Sequence, residues 1–243
     1  MTYTSSVPTD VFYPESDGKP MAENTKQYRW IVIIKENLEI LLANNLDAFI
    51  AGDLLWYPIE GDNVTCAAPD VMVVLGRPKG DRGSYQQWKE RDIPPKVVFE
   101  IMSPSNTQRE MQDKCTFYSA HGVDEFYIYD PDRNRLSGYI RQGGTLLPIA
   151  NMEGWISPSL DIRFSKTNGE LEIYYPDGRR FLTTLQLNKR AIVAEQERDE
   201  FSERAIVAED RATVAEDRAI VAEQERDRLL QQLRAMGINP EDL

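Results

Sequence analysis

The chain has 243 residues, 41% of them apolar, with a net charge of −12. That length buries one sizeable core with an appendage, and the acidic balance excludes nucleic-acid binding through the overall field, leaving a local site or a metal for any such role. No apolar run approaches the ~20 residues of a membrane span, the first residues lack the basic start and apolar run of a secretory signal, and Cys66 and Cys115 form neither a disulfide framework nor a metal-ligand pairing, so the expected location is cytoplasmic.

Three zones follow in chain order: a polar, turn-rich lead-in (residues 1–20), a folded domain (21–185) and a helical repeat (186–243). In the domain, "NTKQYRWIVIIKENLEILLANN" predicts a helix, with Trp30, Ile33, Ile34, Leu38, Leu41 and Leu42 at helical spacing. "DAFIAGDLLWYP" reads as a strand, and "APDVMVVL" is a compact β-branched run. "PPKVVFEIM" is a further strand opened by Pro94-Pro95. "TQREMQDKCTFYSAHG" predicts a helix with a capping box from Thr107 to Glu110 and a stop at Gly122. "EFYIYDPDRNRL" and "RLSGYI" form a strand, a Pro-Asp-Arg-Asn turn and a return, and "GELEIYYPDGRRFL" a hairpin around Pro176-Asp177-Gly178. The sum is an α/β fold with a mixed sheet.

The last zone repeats every seven residues, as in "RAIVAED" and "RATVAED", with no Gly or Pro before Gly237. The column at 194, 201, 208, 215, 222, 229 and 236 is Ala, Phe, Ala, Ala, Ala, Leu, Met. Arg198 and Arg226 interrupt its Ala-rich companion column. These features predict a long coiled-coil-like helix with a thin seam, because alanines bury little area. It either stands as a solvated helix or carries homo-oligomerisation.

In "VVFEIM" the side chains alternate, so Val98, Glu100 and Met102 share one face. A buried carboxylate without a partner is costly, which calls for a cation beside Glu100. Asp70 follows Pro69 and opens the neighbouring buried strand, so the two acids can share a divalent cation through oxygen ligands. Lys114 lies about two turns into the next helix and reaches back toward Glu100. It lies on one helical face with Glu110 and Tyr118.

These residues resemble the PD-(D/E)xK nuclease superfamily, and more closely the bacterial Uma-two endonuclease family. The resemblance rests on Pro69-Asp70, Glu100-Ile101-Met102-Ser103-Pro104-Ser105, Glu110, Lys114, Tyr118, Gly122-Val123 and "EFYIYDP", and spans roughly residues 20 to 175. It implies a restriction-endonuclease-like mixed sheet flanked by helices and a Mg²⁺- or Mn²⁺-dependent endonuclease acting on DNA. Asp70, Glu100 and Lys114 would be catalytic, and Asp70, Glu100 and Glu23 would hold the metal. Two positions depart from the pattern. Met102 stands where the superfamily places its lysine, which moves that role to Lys114, and Gln27 stands where family members carry a histidine.

Plainer readings stand beside these. Glu100 could pair with a surface lysine, Asp70 could cap a turn, and Glu110 is a capping residue. Ser103 and Ser105 are turn residues with no histidine-based triad to activate them, and Tyr118 either packs or lines the site. His121 sits in a helix's last turn, where a cation suits the dipole. The segment from 76 to 92 carries Arg77, Lys79, Arg82, Lys89 and Arg91 with Tyr85 and Trp88, either as a solvated loop or as a substrate-facing one. Two rivals to the nuclease remain: a nuclease-fold binding module with weak or absent catalysis, and a structural protein worked by its tail.

Overall fold

The computed structural model describes residues 11–18, 20–166 and 169–236, so residues 1–10 and Lys19 of the predicted lead-in lie outside the described residues. The chain divides into two compact units between Thr184 and Leu185.

In the first unit, α1 (Thr25–Leu41) starts at Asn24, whose side chain accepts from the amides of Lys26 and Gln27. It buries Trp30, Ile31, Ile34 and Leu38. The strands that follow are β1 (Ala48–Ala51), β2 (Trp56–Tyr57), β3 (Val71–Leu75), β4 (Tyr85–Gln86) and β5 (Val97–Ile101). Then come α2 (Gln108–Ala120), β6 (Glu125–Asp130), β7 (Arg135–Gln142), β8 (Thr145–Pro148), β9 (Arg163–Ser165) and β10 (Glu172–Tyr174).

Six strands form one mixed sheet in the order β1-β3-β5-β6-β7-β8. β5 and β6 are its parallel pair, joined by α2 as a crossover; the other neighbours are antiparallel. One face packs Ile50, Val71, Val73, Val97, Phe99, Tyr127 and Tyr129 against α1 and the β9–β10 hairpin. The other packs Phe49, Met72, Val74, Val98, Met102, Phe126 and Ile128 against Met111, Cys115 and Tyr118 of α2.

The α2 crossover is closed at both ends. Thr107 and Glu110 form the capping box, and Gly122 follows the helix with φ +95°. Arg141 of β7 then donates to the carbonyls of Ser119 (2.8 Å) and Val123 (2.9 Å), tying the helix end to the sheet.

Two strand expectations need correction. "DAFIAGDLLWYP" is not one strand: β1 ends at Ala51 and Asp53 takes a left-handed conformation, φ +50°. The chain thereby leaves the sheet, and β2 pairs with β4 in a separate parallel pair. β10 pairs with β9; around Gly178 the predicted hairpin reduces to a turn with one bridge, Tyr174 to Arg180.

The second unit, from Leu185, holds all but the first residue of α3 (Thr184–Ala235), a helix of 52 residues with none buried. Ile192, Val193, Phe201, Ile206, Val207, Ile220, Val221 and Leu229 are all exposed. Among the described residues no helix is long and apolar enough to cross a membrane.

An added Cβ at Gly122 would sit 2.9 Å from Pro94 Cγ, on backbone that L residues rarely adopt. Gly122→Ala should therefore destabilise the domain by about 1–3 kcal/mol, read as a drop in thermal midpoint. An unchanged midpoint would show that the α2 stop is not under strain.

Candidate active site

Glu100 is the fourth residue of β5, and every residue of that strand is buried. The alternation that turns Val98 and Met102 toward α2 turns Glu100 the same way, and it is 1% exposed. The capping box sets where α2 begins: Thr107 N–H donates to Glu110 Oε2 (2.7 Å) and Glu110 N–H to Thr107 Oγ1 (3.2 Å). With that start, Lys114 and Tyr118, one turn apart, both face Glu100. Lys114 Nζ donates to Glu100 Oε2 at 2.6 Å and the Tyr118 hydroxyl to Oε1 at 2.5 Å.

Each oxygen of a buried carboxylate thus has a donor. Burial opposes the Lys114 ammonium, but the Glu100 charge and hydrogen bond hold its pKa above the ordinary value. Burial, with Glu100 adding to it, pushes the Tyr118 phenol far upward, so it stays a donor. Its ring stacks on Trp56 at 6.2 Å. The lysine side chain is 34% exposed, so it is reachable from solvent; Glu100 is not.

Asp70 enters from the neighbouring strand. It follows Pro69 and precedes β3, and its Oδ2 accepts from the Ile101 amide at 2.6 Å. Burial and the Glu100 charge push its pKa up to about 8. Asp53 belongs to the same electrostatic neighbourhood: its amide donates to the Pro69 carbonyl (3.0 Å), and burial with nearby Asp17 and Glu100 raises its pKa. Read within a continuous strand, Asp53 gave no sign of this; the "GD" pair, a breaker followed by an acid, was the available signal.

The structure brings together Asp70, Glu100, Lys114 and Tyr118. Glu23 is held differently. Its carboxylate accepts from the hydroxyls of Ser103 (2.7 Å) and Ser105, and those hydrogen bonds lower its pKa. Among the described residues no three of His, Cys, Asp and Glu form a ready metal-binding group, so the expected trio of Asp70, Glu100 and Glu23 is not assembled. Gln27 bridges the same region: it accepts from the Glu23 amide (2.9 Å) and donates to the Ile101 carbonyl (2.9 Å). Ser103 and Ser105 are therefore more than turn residues, since they anchor Glu23.

At His121 burial works against the cation that the helix dipole favours, lowering its pKa as the ring packs on Phe117 at 4.6 Å and on Trp56. In the basic segment, Arg77 and Arg82 both bind Glu90, at 2.6 and 2.8 Å, and Tyr85 is fully buried with its hydroxyl on the Ile93 carbonyl. Those two arginines brace the segment; Lys89 and Arg91 remain exposed.

A family model, Uma2, with the description "Putative restriction endonuclease", matches residues 17–179. No curated protein matches the chain. Among solved structures, one from Anabaena variabilis ATCC 29413, described as "a putative nuclease belonging to DUF820", is 17% identical. It covers 59% of this chain and 77% of its own, with a TM-score of 0.45.

Asp70 also supplies a pH signature. Its folded pKa lies above the ordinary 3.8, so its contribution to stability is complete below about pH 4 and is lost as pH rises through about 8. In chelator, wild type should lose stability relative to Asp70→Asn across that window, by roughly 1.4 kcal/mol for each pH step of one crossed. Paired thermal melts from acid to alkaline pH check this. A constant difference would mean that Asp70 is not held protonated.

Proposed function

From the premise that the chain belongs to the Uma2 family of restriction-endonuclease-like proteins, we propose that it is a metal-dependent endonuclease acting on DNA. The observation that carries this reading is the pair Asp70 and Glu100, two carboxylates at adjoining strand ends whose charges oppose each other, with a single lysine beside them. Mg²⁺ is characteristically held by one or two carboxylates, with waters and substrate phosphate completing its shell, so this oxygen donor set fits such a cation. Asp70 and Glu100 would hold it, with Asp53 adding negative charge nearby. When bound, the ion supplies positive charge at the scissile phosphate and activates water.

The chain's own residues do the rest. Tyr118 and Lys114 fix the Glu100 carboxylate, and the Ile101 amide fixes that of Asp70. The partly exposed Lys114 ammonium neutralises charge developing on the phosphate or orients the attacking water. Glu23 orders the turn after β5 through Ser103 and Ser105.

A second reading has specific support: Met102 is buried where the superfamily places its lysine, and both Glu100 oxygens already have protein donors. In that reading the domain is a nuclease-fold binding module with weak or absent catalysis. Titration calorimetry with Mn²⁺ separates the two. The nuclease reading expects binding that Asp70→Asn removes, and DNA cleavage that the same variant lowers by about 100-fold or more. Wild-type protein without Mn²⁺ affinity would sink it and leave the module.

We also propose that α3 pairs with α3 of a second copy, since an isolated helix of this length leaves its β-branched side chains in water. Deleting residues 185–243 should convert the assembly to a monomer in sedimentation. An unchanged mass would refute the pairing.

A further inference from the structure

The seven-residue repeat of α3 gives each side chain a fixed place around the helix. The Ala-rich columns through residues 191 and 194 alternate at spacings of three and four, so they take positions a and d of a heptad seam. Small residues there keep the seam narrow, which brings the flanking columns of two paired helices within reach of each other. The larger members of the seam, Phe201 and Leu229, are 75% and 60% exposed in the single chain. The Ile and Val columns fall at b and c, so those side chains border the contact rather than form it. Beside the seam, column g carries Arg190, Arg204, Arg211 and Arg218, and column e carries Glu195, Glu209, Glu216 and Glu223.

These charges discriminate between ways of pairing. In parallel, in-register helices each g residue faces the e residue five positions on in the other copy. Arg190 then meets Glu195, Arg204 meets Glu209, Arg211 meets Glu216 and Arg218 meets Glu223. The two acids of column g, Glu197 and Glu225, meet Ser202 and Leu230, so no like charges face each other along these flanks. Sliding one helix by a heptad sets Glu197 against Glu209 and Glu225 against Glu223. Running it antiparallel sets e against e, a column with no basic residue. Among the described residues, Arg211, Arg218, Glu209 and Glu216 have no ion-pair partner in their own helix. Arg198 and Arg226, at position a, instead fold onto Glu195 and Glu223 of the same helix (3.8 and 3.4 Å), which offsets the like charge that pairing sets opposite them.

We infer that α3 forms a parallel, in-register, two-stranded coiled coil with α3 of a second copy of this chain. The inference rests on the α3 pairing proposed above and deepens it by fixing direction and register; it is independent of the nuclease reading. Exposed ion pairs contribute little strength each. The apolar seam therefore supplies the attraction, and the charges select the direction by penalising the alternatives. Alanines at most a and d positions leave little to fill the centre of a larger bundle, which favours two strands. Parallel pairing attaches both folded domains at the same end of the coil, each through its own residue 184. A ligand long enough to reach both domains is then held by two sites at once, which raises its avidity.

The test places a cysteine on the seam of the full-length protein. Under mild oxidation Ala194→Cys should form a covalent dimer on non-reducing electrophoresis, and wild type, with Cys115 buried and Cys66 half-buried, should not. In an antiparallel pair the two introduced thiols would lie about 45 Å apart. At low salt, Arg204→Glu/Arg211→Glu/Arg218→Glu should weaken the dimer by about 10-fold or more in sedimentation equilibrium. Mixing that variant with Glu209→Arg/Glu216→Arg/Glu223→Arg should restore it. Direction and register fail, while pairing stands, if wild type is a dimer that Ala194→Cys does not cross-link or that the glutamate variant leaves equally tight. A wild-type mass of one copy overturns pairing and direction together, and a mass of three copies or more overturns the two-stranded coil.

Discussion

Glu100 occupies a position that the alternation of β5 assigns to the core, and a charge there is tolerable only with a donor on each oxygen. Lys114 and Tyr118 supply them, and both come from one helix, so the phase of α2 about its own axis becomes a structural requirement. Shifting the start of α2 by one residue would rotate those side chains by about 100° and strand the carboxylate. The capping box at one end, and Gly122 with Arg141 at the other, keep that phase from drifting. Removing one partner of such a buried pair typically costs about 3–5 kcal/mol, more than either cap contributes.

The sheet carries a second buried acid whose treatment is instructive. Glu125, at the other end of the β5–β6 pair, is 1% exposed and accepts from Tyr127 (2.6 Å), Ser157 (2.5 Å) and the Ser159 amide (2.7 Å). All its donors are neutral, and it clasps the 157–160 turn onto the sheet. Glu100 instead has an ammonium partly open to solvent and another carboxylate as neighbour. One acid is a finished internal joint; the other shares its single ammonium with a second buried carboxyl group beside it.

Much of this could be read from residue order. The core strands, the α2 boundaries and the β6–β7 hairpin follow from alternation, capping chemistry and turn residues, which are local. Lys114 could be aimed at Glu100 because a short turn and a capped helix leave little freedom between them. Asp53 could not be found that way, since its place depends on a left-handed residue inside an apolar run. The Tyr118 hydroxyl escaped for another reason: helical spacing says which face an aromatic occupies and nothing about what its polar tip meets. Glu23 is a third case, in which two serines 80 and 82 residues away decide where a carboxylate settles. The short strands β8 and β9 have too few residues to show a period.

Ile101 ties the site together through its peptide rather than its side chain: the amide holds Asp70 and the carbonyl takes the Gln27 carboxamide. Contacts of that kind do not depend on which residue occupies the position. Apart from proline, which has no N–H to give, any side chain that fits the α1 face leaves both hydrogen bonds available. The residue between the candidate glutamate and Met102 is thus free to change with the core beneath it. The acid on one side and the helix on the other keep their alignment through backbone alone, so sequence drift in the packing need not disturb the geometry of the chemistry.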